Sequence, residues 1–142
     1  MANYCSAIRT NYFHVKDDTK FLDFMDHILC TEDHIEVWTK VDSNGDAIYG
    51  FGCYGGIVGY CDDNDDADDA SYDIFLDGLQ QYVADDDAIL IFESGHEKLR
   101  YVIGSVQVIT SREIDYADIR DIGHNLARKM LDNVLWTSRC EY

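Results

Sequence analysis

No proline occurs in the 142 residues, and no linker-like stretch separates them. The composition mark of a domain boundary is missing, so the chain is expected to fold as a single domain over residues 1–142. No apolar run approaches the roughly 18 residues that a membrane helix needs, and residues 1–10 lack the basic and apolar regions of a signal peptide. The expectation is a cytoplasmic protein. The five cysteines, Cys5, Cys30, Cys53, Cys61 and Cys140, include no C-x-x-C pair, and His14, His27, His34, His96 and His124 do not stand at zinc-ligand spacings from them. This odd set fits a reducing compartment better than a disulfide framework, and no structural zinc is expected. G-x-S-x-G and the phosphate-loop pattern are absent, and nothing singles out a Cys–His pair. The chain is therefore read as a non-enzyme with no cofactor.

Basic residues are scarce. The chain has 11 Lys and Arg against 28 Asp and Glu, a net charge of −17. Residues 41–97 contain no Lys or Arg and fifteen acids, whereas the other 85 residues carry 13 acids and 11 bases, a net of −2. Such a surface repels DNA, RNA and anionic lipid, because nucleic-acid binding depends on Lys and Arg displacing counterions. Direct nucleic-acid and membrane partners are excluded, and a cationic protein surface is the natural partner. Concentrating one sign costs folding free energy through self-repulsion, so the clustering calls for a reason beyond solubility. With 46% hydrophobic and 13% aromatic residues, the chain still has material for a core.

Hydrophobic patterning outlines the elements. Residues 7–15 read as a strand, and Asp17 or Asp18 caps a helix with Phe21, Leu22, Met25, Ile28 and Leu29 on its core face. Residues 34–41 alternate as a strand, Asp42-Ser43-Asn44-Gly45-Asp46 reverses the chain, and residues 47–53 complete the hairpin. A glycine-rich stretch, 50–59, leads into a short strand at 57–60. An acidic insert at about 62–70 then runs into a helix at 71–83 whose Tyr72, Phe75, Leu76, Leu79 and Val83 share one side. On that helix Asp69, Asp73 and Asp77 form a stripe with steps of about 6 Å, comparable to phosphate spacing. Asp85, Asp86 and Asp87 precede a strand at 88–92, Ser94-Gly95-His96-Glu97 forms a turn, and residues 99–110 form a long strand with a bulge at Gly104. The last helix is placed at 115–133. Hairpins dominate, so the fold class is α+β, a mainly antiparallel sheet with about three helices packed on one face.

Three local patterns have ordinary explanations. Gly50, Gly52 and Gly55 match G-x-G-x-x-G, but no helix follows to hold a pyrophosphate, so a glycine-rich hairpin accounts for them. Asp42-Ser43-Asn44-Gly45-Asp46 begins like a calcium loop yet lacks the glycine and the bidentate glutamate, and turn chemistry explains it. The tract from Asp62 has carboxylates at calcium-loop spacing without the turn glycine, which leaves loose divalent-cation binding as an alternative to a solvated surface. His96-Glu97 is read as turn chemistry rather than an acid–base pair. Tyr residues interleave with the carboxylates, and Tyr beside Asp suits recognition of Arg-rich grooves.

Met1-Ala2-Asn3-Tyr4, Ser6-Ala7-Ile8-Arg9-Thr10-Asn11-Tyr12-Phe13, Val15-Lys16-Asp17 and Glu97-Lys98-Leu99-Arg100-Tyr101-Val102-Ile103-Gly104 resemble segments of small proteins carried by phages and other mobile elements. The resemblance covers about a quarter of the chain, brings no catalytic motif, and is departed from in the density of the acidic insert. It implies a setting in which small acidic proteins, anti-CRISPR and anti-restriction proteins among them, inhibit host defence, several by mimicking nucleic acid. Together with the charge, it gives the expected function: a non-enzymatic inhibitor in the cytoplasm of a host bacterium, a DNA mimic that fills the basic channel of a CRISPR effector or other defence nuclease. The expected partner-binding residues are Asp62, Asp63, Asp65, Asp66, Asp68, Asp69, Asp73, Asp77, Asp85, Asp86, Asp87, Tyr60 and Tyr72. Alternatives are a divalent-cation-binding regulatory module using the same aspartates, and an inhibitor that locks its target's conformation through the Gly/Tyr-rich segment 50–60. A homodimer is a further expectation.

Overall fold

The computed structural model describes residues 4–99 and 101–138; Met1, Ala2, Asn3, Arg100 and Cys140, named above, lie outside the described residues. Strand β1 (Cys5–Thr10) stops before the expected residue 15. The reason is Asn11: its side-chain amide donates to Ala88 O (3.0 Å) and accepts from Leu90 N (2.8 Å), replacing the main-chain ladder. The chain peels away there, and Phe13 and Val15 make isolated bridges to Tyr49 and Val83.

Helix α1 (Asp18–Met25) is capped by Asp17, whose carboxylate accepts the Lys20 amide at 3.0 Å. It ends at Asp26, so Ile28 and Leu29, expected on the helix, instead form β2 (Ile28–Cys30). Apolar spacing of i, i+4 and i+7 is met either way, and pairing with β5 (Ile57–Tyr60) decides the outcome. The hairpin of β3 (Glu36–Val41) and β4 (Ala47–Tyr54) follows the expectation. In its turn Asp42 accepts the amides of Asn44 (3.0 Å) and Asp46 (2.9 Å), and Gly45 adopts φ +86°. Gly50 and Gly52 lie buried within β4, and Gly52 faces the Trp38 ring, as a hairpin reading of G-x-G-x-x-G requires.

Helix α2 (Tyr72–Tyr82) is capped by Ser71, which accepts the Ile74 amide at 3.2 Å. It buries Phe75, Gly78 and Leu79; Gly78 is needed because the Phe24 ring of α1 occupies the space of a side chain. Strand β6 (Ile89–Glu97) runs straight through Ser94-Gly95-His96-Glu97, which the sequence reading placed in a turn. Gly95 marks a close approach of the Tyr4 ring, not a reversal. The chain turns instead at Lys98, with φ +51°, into β7 (Tyr101–Ile109). Gly104 stays in register opposite Ser94, so no bulge forms there. Finally, β8 (Ile114–Asp118) takes the first residues assigned to the last helix, because the free edge of β7 offers a pairing partner. Helix α3 (Ile119–Met130) starts where Asp118 accepts the Arg120 amide at 2.7 Å.

The main sheet has the order β3-β4-β1-β6-β7-β8 with every neighbour antiparallel, and β2-β5 form a second, two-stranded sheet. The class is α+β, as expected. Helices α1 and α2 cover the sheet face bearing Ile8, Phe51, Ile89, Ile91 and Ile109. Phe13, Phe21, Phe51 and Phe75 are fully buried there, with edge-to-face contacts at 5.7, 6.2 and 6.1 Å. Each such pair adds about 0.5–1.5 kcal/mol beyond area burial. Helix α3 is placed differently: Ile119 lies over Gly104, whose register puts it on the opposite face. No residue of α3 is buried.

Candidate functional site

Six of the expected partner-binding aspartates lie on one loop, residues 61–70, between β5 and α2. Two main-chain hydrogen bonds close it at the base: Tyr60 N–H donates to Ser71 O (2.9 Å) and Ser71 N–H to Tyr60 O (2.8 Å). This closure depends on Gly59, which has φ +145° and whose missing Cβ would strike the Ser71 backbone. Inside the loop, Cys61 Sγ contacts the carbonyls of Asp62, Asp65 and Asp66 at 3.5–3.6 Å. Carbonyls thus point inward, and Asp62, Asp63, Asp65, Asp66, Asp68 and Asp69 are all exposed. Burial raises the Cys61 thiol pKa, and the charges of Asp65, Asp69, Asp62 and Asp66 raise it further.

Among the described residues, one basic side chain is paired with this loop: His27, whose Nε2 lies 3.1 Å from Asp63 Oδ1. Its Nδ1 lies 2.9 Å from Asp23 O. The Asp23 carbonyl and then Asp63 outweigh burial and raise the imidazole pKa above its ordinary value. Neither His27 nor Asp23 was on the expected interface. Both come from α1 and its C-terminal turn, and only the pairing of β2 with β5 brings them to the loop.

The stripe of Asp69, Asp73 and Asp77 does not form as expected. Asp69 belongs to a separate 3₁₀ turn (Ala67–Asp69), and Ala70 and Ser71 are extended before α2 begins. Asp73 and Asp77 alone share the outer side of α2, both exposed. The two tyrosines are partly committed to the fold: Tyr60 stacks on Phe24 at 5.2 Å, and the Tyr72 hydroxyl donates to Gln107 Oε1 at 2.9 Å.

Asp85, Asp86 and Asp87 lie beyond the other end of α2, about 16 Å from the loop end by helical rise. There they meet the β3–β4 turn. His14 bridges the two: its Nδ1–H and main-chain N–H donate to Asp87 Oδ2 (2.9 and 2.8 Å), and its Nε2–H donates to Asp42 Oδ2 (2.7 Å). Hydrogen bonds to Asp42 and then Asp87 raise the His14 pKa to about 8. Asp42 is held below the ordinary carboxylate range, first by His14 and then by the Asp46 amide. Burial pushes Asp87 up, but the His14 main-chain and imidazole donors outweigh it and leave its pKa lowered. Asp85 is lowered by Lys16 Nζ at 3.0 Å. Of this trio, Asp87 is thus engaged in holding the fold, whereas Asp85, in a surface ion pair with Lys16, and Asp86 are exposed.

Two groups have ligand atoms within 4.8 Å of one another, His27 with Asp62 and Asp63, and His14 with Asp42 and Asp46. In the first, His27 is paired with Asp63, and in the second His14 is paired with Asp42. Cys30 and Cys53 behave as fold thiols: the Cys53–Cys30 hydrogen bond lowers the Cys30 pKa and raises that of buried Cys53. In segment 50–60 only Tyr54 and Val58 are exposed.

Fold and site define a strongly acidic α+β protein with six exposed carboxylates on one pinned loop. No family model, curated protein or solved structure matches the chain. No helix among the described residues is long and apolar enough to cross a membrane.

Proposed function

We propose that the protein is a non-enzymatic inhibitor that occupies the basic nucleic-acid channel of a nuclease, a CRISPR effector or other defence nuclease in the cytoplasm of a host bacterium. The observation that carries this reading is the loop 61–70: six exposed carboxylates on a segment closed by two main-chain hydrogen bonds, with His27 as counter-charge. A closed loop holds its charges together before binding, so less ordering entropy is lost on association. Asp73 and Asp77 continue the negative surface along α2 with a step of about 6 Å. Charge pairing of this kind raises association rate and specificity, and both weaken with salt.

The test is displacement of labelled DNA from the purified nuclease by increasing amounts of this protein. DNA release that fades with added salt supports the reading, and undiminished DNA binding at saturation overturns it. Cation binding is the second reading, favoured by the ligand atoms of His27, Asp62 and Asp63 within 4.8 Å. Calorimetry with Ca²⁺, Mg²⁺ or Zn²⁺ separates it from mimicry, which needs no ion. A conformational lock through segment 50–60 has less to stand on, since Tyr54 and Val58 are its exposed side chains.

A further inference from the structure

The sheet face turned away from α1 and α2 carries a groove of about 450 Å³, lined by Ala7, Phe92, Val106, Ala117, Ile119 and Ile122. Ile119, Ile122, Leu126 and Met130 recur along α3 at helical spacing and form one apolar stripe continuous with it. Among the described residues nothing covers the stripe: Leu126 is 56% and Met130 83% exposed. Residues after α3 fold back on its other side, where the His124 ring meets Trp136 at 5.7 Å and Arg128 Nε donates to Trp136 O at 2.8 Å. Gly123 sits beside the stripe with nothing within 4 Å of where a side chain would begin. A glycine inside a helix weakens it, and no contact among the described residues requires one here.

We infer that this face pairs with a second copy of the chain, in a two-fold dimer whose α3 helices cross at Gly123 and cover each other's stripe and groove. Area is compatible with a copy of this size. Phe92, Ile119, Ile122, Leu126 and Met130 together expose on the order of 500 Å², within the roughly 300–600 Å² of the largest patch on a typical monomer and the larger part of the ~800 Å² per partner of a standard interface. Charge supports it as well. Two chains at −17 repel, but residues 98–138 carry six bases and five acids, so copies meeting here keep their acidic stretches apart. Close crossing of two helices is what a glycine without neighbours on its own chain permits. In this arrangement the two loops 61–70 remain outside the interface, so the dimer stands independently of the proposed inhibitory role.

The experiment is sedimentation velocity on the full chain across a concentration series, with light scattering for mass. The expected species is about 33 kDa, twice the 16.3 kDa chain. Leu126→Asp removes the dimer without changing the circular dichroism, because its side chain is exposed on the single chain. Gly123→Gln leaves the fold intact and weakens dimerisation at least tenfold, an effect that a role within one chain would not produce. A wild-type mass of 16.3 kDa at every concentration overturns the inference, as does a dimer that survives both substitutions. A monomer that binds anionic phosphatidylglycerol vesicles through Leu126 also overturns it, and assigns the stripe to a lipid surface.

Discussion

The two ends of α2 carry similar numbers of aspartates and very different counter-charges. Before the helix, of Asp62, Asp63, Asp65, Asp66, Asp68 and Asp69, Asp63 is paired with His27. Beyond it, Asp42, Asp46 and Asp87 are gathered around His14, Asp85 pairs with Lys16, and Asp86 is exposed. At the second end three separate chain segments must be joined, and a protonated imidazole with two carboxylate partners joins them. At the first end two main-chain hydrogen bonds close the loop, so joining it to the fold falls to its carboxylates only at Asp63, which pairs with His27. Charge that the fold uses is neutralised where it is used, and charge left over is available to a partner.

The broadest way to break this comparison is to remove what both ends share. Phe75 anchors α2 from a fully buried position, and Phe75→Ala should cost about 3–5 kcal/mol in denaturant unfolding. Next comes the charge itself. Replacing the six loop aspartates by asparagine should weaken binding to a basic nuclease roughly a hundredfold, about 2.8 kcal/mol, without lowering the melting temperature, since repulsion is relieved. The double substitution Asp42→Asn with Asp87→Asn should do the reverse and lower the melting temperature with little change in that affinity. A fall in stability from the loop substitutions, with affinity retained, would invert the assignment.

Gly59→Ala tests the loop's closure and should cost about 1–3 kcal/mol of backbone strain, with loss of hydrogen-exchange protection at the Tyr60 and Ser71 amides. The smallest effect is titration of His14. Its folded pKa, about 8, lies above the ordinary 6.5, so its stabilising contribution is complete below pH 6.5 and is lost as pH rises through about 8. The wild-type melting temperature should therefore fall across that window, and His14→Gln should flatten the fall.

Much of the architecture was legible because local chemistry and tertiary demand agreed. The β3–β4 hairpin has its Asx turn and Gly45, and Asp17 and Ser71 begin helices as capping residues do. Where they disagreed, long-range pairing prevailed. Ile28 and residues 114–118 became strand because an edge was available to them, and Ser94–Glu97 stayed in the ladder because Gly95 answers to Tyr4. Placement of the site was partly legible. The density of Asp62 to Asp69 is written in the chain, but spacing along it said nothing of His27 or Asp23, nor that Asp87 is held by His14. It also joined Asp69 to a helix that begins at Tyr72.

The order of residues alone determined the magnitude and concentration of charge, the material of the core and the class of fold, because these depend on composition and local periodicity. Which carboxylates are neutralised, which remain exposed, and which apolar stripe is left uncovered were decided by the tertiary structure. Those outcomes turn on distances between segments far apart in the chain, such as Asp42, His14 and Asp87, and Coulomb and packing forces act through space rather than along the backbone.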